Sequence, residues 1–143
     1  MELAQQKLRN HNYIKTLKGL GGFVPPFLSM LAKIKELADL EDGWDSYNSA
    51  PAPDKISIDN AYKVVRILEE MKFPSEKILP SIDGGIVFTF YKNKKYADIE
   101  CFNSDIIAAI MSDRNSEDRI PAWEVADIRQ TVERIKTFIN ENS

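Results

Sequence analysis

The chain holds one cysteine and one histidine among its 143 residues. A lone cysteine excludes a disulfide framework and any cysteine-rich metal centre, and a lone histidine excludes sites that need two. Long apolar runs are also missing. The longest stretch without charge, residues 19–32, is shorter than the ~20 residues a membrane helix requires, and Pro25-Pro26 interrupts it. It also lies too far along the chain, and lacks the small-residue cleavage pattern, for a secretory signal. No nucleophile elbow, Gly-rich phosphate loop, internal repeat or low-complexity segment occurs. These absences point to a soluble cytoplasmic protein with no membrane partner and no assigned cofactor.

What is present is ordinary globular material. A hydrophobic share of 43% with 29% charged residues argues against disorder and against a coiled coil. The length suffices for a core that needs no covalent staple. The net charge of -3 is uneven. Residues 1–22 carry Lys7, Arg9, Lys15 and Lys18 against Glu2, while the rest of the chain is acidic. The expected organisation is a basic helical arm over 1–22 and a single domain over 23–143. Such an arm can be a solvated helix face, or it can dock on its own domain, a second copy, an acidic partner or nucleic acid.

Periodicity then divides the domain. Leu3, Ile14 and Leu17 make no continuous stripe, so the arm is weakly patterned. Pro25-Pro26 opens a helix with Leu28, Leu31, Ile34 and Leu37 on one side. Residues 41–53 read as a polar, proline-punctuated loop. Asp54 or Ser57 caps a second helix striped by Ile58, Ala61, Tyr62, Val65, Leu68 and Met71, which Pro74 stops. The period next falls to two. Strands are expected at 78–82, an edge because of Pro80, and at 85–91, 96–102 and 106–111, joined by tight turns. A last helix is expected to open at Pro121, with Val125, Ile128, Val132, Ile135 and Ile139 as its stripe. The fold class is α+β: N-terminal helices, a four-stranded antiparallel meander and a C-terminal helix.

The loop holds the densest chemistry. Trp44, Asp45, Ser46, Tyr47 and Asn48 set two aromatic rings beside an acid, a hydroxyl and an amide. That mixture suits a ligand- or partner-binding loop, in which rings supply area and polar groups fix orientation. It suits still better an anchor in which Trp44 pins the loop while Asp45 and Ser46 satisfy its amides. Asp83, in the Asp83-Gly84-Gly85 turn, is a further candidate, since such a turn can cradle an anion or simply reverse the chain. Asp98 and Glu100 share one face of a strand and could hold a divalent cation. A restriction-type nuclease would place Lys two residues further on, where Phe102 stands. Tyr91, Lys92, Lys94, Lys95 and Tyr96 interleave rings and bases as a single-strand binder would. The acidic body and the acids on that same strand argue against nucleic acid. His11 has no visible partner, and Cys101 falls in the apolar alternation with Ile99.

The run Gly43-Trp44-Asp45-Ser46-Tyr47, then Ala50-Pro51, a helix, and Pro80-x-x-Asp83-Gly84-Gly85-Ile86 before an aromatic strand, resembles a group of small bacterial proteins. In them a Gly-Trp-Asp-x-Tyr loop precedes a helix and an Asp-Gly-Gly hairpin. The likeness spans about residues 37–100, and members often carry Trp where this chain has Phe90. It implies a bacterial or mobile-element origin and no particular activity. The expected function is a non-enzymatic protein-interaction or regulatory module, antitoxin- or immunity-like in kind. The expected partner is another protein, with a second copy of the chain or a small ligand also open. One alternative is a nucleotide-type ligand binder using the Trp44–Tyr47 loop. Another is a metal-dependent enzyme using Asp98 and Glu100.

Overall fold

The structure is a computed structural model that describes residues 25–46, 49–116 and 120–141. The basic arm over 1–22, with His11, lies outside the described residues. Helix α1 (Pro26–Ala38) starts with proline at its first turn, where the missing N–H has no partner to lose, and buries Met30, Ile34 and Leu37. Helix α2 (Lys55–Glu70) is capped by Asp54, whose carboxylate accepts the Ser57 N–H. It buries Ser57, Asn60, Ala61, Val64, Val65 and Leu68. Its end is a left-handed Lys72 at φ 52, with the Phe73 N–H reaching back to the Leu68 carbonyl. Helix α3 (Ile128–Asn140) is capped by Asp127 and buries Thr131, Val132, Ile135 and Ile139.

The strands are β1 (Lys77–Pro80), β2 (Gly85–Lys92), β3 (Lys95–Phe102), β4 (Ile107–Asp113) and β5 (Ile120–Glu124). They form one antiparallel sheet in the order β1-β2-β3-β4-β5. The α+β class and the meander are as expected, but the sheet has five strands rather than four. Pro121 does not open the last helix. It lies in β5, where Ile120 pairs with Met111 and Trp123 with Ala109, with a register irregularity between them. An edge strand with such an irregularity tolerates proline, because one side of it needs no ladder donor. The helix begins only after Asp127 supplies a cap.

Alternation along the strands sorts their side chains onto two faces. Ile78, Phe88, Ile99 and Ala109 lie in register, as do Ile86, Cys101 and Ile107, and all are buried in one cluster with the apolar stripes of the three helices. Phe73 stacks on Phe90 with ring centroids 5.0 Å apart. Two lysines close the helix ends from outside. Lys136 donates to the Met71 carbonyl at the end of α2, and Lys95 donates to the carbonyls of Phe138 and Glu141 at the end of α3.

One backbone approach is unusually close. Gly85 sits at φ +134, and a Cβ there would lie 2.0 Å from the Cys101 carbonyl oxygen on the neighbouring strand. Only glycine fits, because both the torsion and the space exclude a side chain. Gly85→Ala is therefore expected to force β2 away from β3 at its start. It should cost more than the roughly 1–3 kcal/mol of an ordinary strained torsion, read from urea midpoints beside the wild type.

Candidate functional site

The Trp44 loop and the Asp83 turn meet at one end of the sheet, and Asn103 joins them. Asn103 opens the turn between β3 and β4. Its carboxamide oxygen accepts the Asp54 N–H at 2.9 Å, and its amide donates to the Ala52 carbonyl at 3.0 Å. Its own N–H donates to the Gly84 carbonyl. Gly84 has φ +90, and a Cβ there would meet the Asn103 amide at 2.6 Å and Pro51 at 3.3 Å. Asn60 of α2 secures the same β3–β4 turn by donating to Asp105 at 2.7 Å. Asn103 thus ties its own turn to two other segments, to residues 52–54 through its carboxamide and to Gly84 through its backbone N–H.

Within the loop, polar groups turn inward. The Trp44 indole N–H donates to the Pro51 carbonyl at 3.1 Å, and the Ala50 N–H donates to Asp45. Asp42 accepts the Ala52 N–H. The other Asp45 carboxylate oxygen is enclosed and carries no hydrogen bond among the described residues. Ser46 is exposed in the left-handed region at φ 63. Tyr47 and Asn48 lie outside the described residues. Asp83 is exposed at the tip of its turn, where its N–H donates to the Ser81 hydroxyl. Of the expected site residues, Trp44, Asp45 and Asp83 therefore share one end of the molecule, and the first two engage the loop's own backbone.

A second constellation occupies the sheet face opposite the helices. Cross-strand register aligns Lys77, Thr89, Asp98 and Ile110 in one row. Leu79, Val87, Glu100, Ala108 and Glu124 form the next row, and Tyr91 pairs directly with Tyr96. Four large apolar or aromatic side chains are strongly exposed here: Leu79 at 46%, Tyr91 at 44%, Ile110 at 41% and Tyr96 at 38%. Asp98 and Glu100 lie half-buried among them. Each already serves a hydroxyl, since Tyr96 donates to Asp98 and Ser81 donates to Glu100, both at 2.6 Å. No group of three metal-ligating side chains occurs among the described residues. Ser81 and Asn103 are members the sequence did not reveal, since only the tertiary structure gives them their partners, whereas Tyr91 and Tyr96 flank the expected hairpin turn and pair across it.

Burial shapes the electrostatics. It pushes the Asp98 carboxyl up, and the Tyr96 and Thr89 hydroxyls, which favour its charged form, offset part of that. The Tyr96 phenol is pushed up to about 12, first by burial and then by the hydrogen bond to Asp98 and the charge beside it. The Cys101 thiol also rises to about 12, by burial and then by the Glu100 charge, so it is no nucleophile. The basic hairpin is altered too. Lys95 is buried and committed to the end of α3, which leaves Lys92 and Lys94 exposed at that tip.

Among the described residues, no helix is long and apolar enough to cross a membrane. No family model matches the chain, and no curated protein or solved structure matches it either.

Two measurements check these assignments. Asn103→Ala should lower stability by about 1–3 kcal/mol, because it strands the Asp54 N–H and the Ala52 carbonyl, whereas Asp83→Ala should stay within about 0.5 kcal/mol. Urea unfolding of the two variants compares them. Tyr96 gives an alkaline test. Its phenol keeps its proton to about 12 in the folded state but ionises near ~10 once unfolded. Its contribution is thus complete below about pH 10 and lost as pH rises toward 12. Tyr96→Phe should flatten that decline, measured as urea midpoints at about pH 9 and about pH 11.5.

Proposed function

We infer that the protein is a non-enzymatic interaction module and that its partner docks on the free sheet face. The observation that carries this reading is the exposed set of Leu79, Tyr91, Tyr96 and Ile110 around Asp98 and Glu100. Exposed rings and aliphatic side chains on the uncovered side of a sheet are the kind of surface that a partner protein covers. Tyrosine suits such a surface, since its ring supplies area and its hydroxyl tolerates water. The acids state what the partner carries. Glu100 and Glu124 share one outward row and Lys77 is the base of the next, so a partner protein presents lysine or arginine flanked by apolar side chains. The regulatory, antitoxin- or immunity-like role belongs with this reading as its biological form.

A photoreactive phenylalanine at position 110 tests it in cells that naturally make the protein, with position 66 on the exposed side of α2 as control. Position 110 should yield an adduct with one protein of discrete mass, and Glu124→Lys should weaken that adduct. No protein adduct from position 110, or an equal one from position 66, would overturn the reading.

A further inference from the structure

The two edges of the sheet, β1 and β5, differ in what they leave unbonded. Along β1 the Ser81 N–H donates to the Gly85 carbonyl, which fixes the phase. Lys77 and Leu79 bond β2, and Ile78 and Pro80 turn outward. Ile78 is buried and Pro80 has no N–H, so that edge is closed.

The β5 edge is open. The Val125 N–H donates to the Ile107 carbonyl, and Trp123 pairs with Ala109. Each peptide unit is planar and trans, so its N–H and C=O point opposite ways. The Glu124 C=O therefore points away from β4, and alternation sends the Glu124 N–H and the Ala122 C=O the same way. Both residues are exposed, and β5 has no neighbour on that side among the described residues. Pro121 and the irregular pairing toward Ile120 precede these groups and do not block them.

The stretch Ala122-Trp123-Glu124 is its own complement. When two copies run antiparallel about Trp123, each Glu124 N–H meets the Ala122 C=O of the other copy, and the two-fold axis repeats the bond. Charge selects this register. An axis at Glu124 sets carboxylate against carboxylate, and an axis at Ala122 sets Trp123 against Pro121. Centred on Trp123, the two indoles form a directly opposite pair without hydrogen bonds, where cross-strand side chains approach closest. Trp123 is half-buried and fixed in place, with the Arg134 guanidinium 4.2 Å from its ring centroid and its N–H donating to Thr131 at 3.4 Å. The free face suits a second copy less well, because stacking two such faces on β3 sets Asp98 and Glu100 against the same acids.

We propose that a second copy of the chain adds to the β5 edge, the two β5 strands pairing antiparallel about Trp123 in a two-fold dimer with one continuous sheet. Antiparallel pairing keeps both helix layers on one side of that sheet and both free faces on the other. The dimer therefore leaves the partner-docking face open and duplicates it.

Sedimentation equilibrium of the purified full chain over a wide concentration range should show monomer and dimer and nothing larger, because a two-fold contact closes on itself. Glu124→Pro deletes the outward N–H and leaves the β4 ladder intact, so it should weaken the dimer about tenfold or more. Glu124→Ala removes only the charge and should stay within about threefold of the wild type. A photoreactive phenylalanine at position 123 should give an adduct of doubled mass whose attachment maps to residues 120–125 of the second copy. A monomer at every concentration, a dimer indifferent to Glu124→Pro, or an equal loss with Glu124→Ala would overturn the proposal. Should Glu124→Pro fail to fold by circular dichroism, the position 123 adduct decides, and single-chain mass alone overturns it. A doubled-mass adduct from position 110 in place of 123 would put the second copy on the free face and overturn it as well.

Discussion

The register of β2 against β3 decides which side chains this protein seals and which it shows. Gly85 opposite Phe102 and Phe88 opposite Ile99 set it, and the close approach of Gly85 to the Cys101 carbonyl holds it in place. Because strand side chains alternate, a slip of one residue would send Ile99 and Cys101 outward and drive Asp98 and Glu100 into the helices. Burying two carboxylates without partners is far costlier than any turn preference. The same register that builds the core therefore builds the opposite face. Its mixture of tyrosines, aliphatic side chains and acids follows from which positions the core did not take.

Helices cover one face of the sheet alone among the described residues, which leaves the rows of Asp98 and Glu100 on the other. The three helices pack their stripes on Phe88, Phe90 and Ile99, and lysines from outside close two of their ends. At the far end of the sheet, Asn103 satisfies backbone groups of the Trp44 loop and of the Asp83 turn at once. That junction accounts for the proximity of Gly43-Trp44-Asp45, Ala50-Pro51 and Asp83-Gly84-Gly85 through hydrogen bonding and close packing. Of the expected site residues, Trp44 and Asp45 bond the loop's own backbone in this way.

Some of this was legible in the chain. Asp54 as a cap, Pro26 at a first helical turn, the edge position of β1 and the inward set of Ala97, Ile99 and Cys101 are all local consequences of torsion, capping and period. The fifth strand was not legible, because Pro121 is a helix opener by habit and becomes a strand residue only at an irregular edge beside β4. Lys95 looked like one base among several, yet its place next to the end of α3 turns it into a buried cap. The Asn103 junction was invisible for the same reason, since its partners lie about fifty positions away in sequence.

By itself the sequence determined the kind and order of the elements other than β5, and the alternation along the expected strands, because those depend on backbone torsion and on side-chain period. It also determined that no cysteine framework or paired-histidine site is available. Tertiary structure alone decided which hydroxyl meets which carboxylate, which loop touches which turn and which apolar side chains remain uncovered. Those are properties of register and of helix placement. They bring Ser81 onto Glu100 and Asn103 onto Ala52, pairs that no spacing along the chain announces.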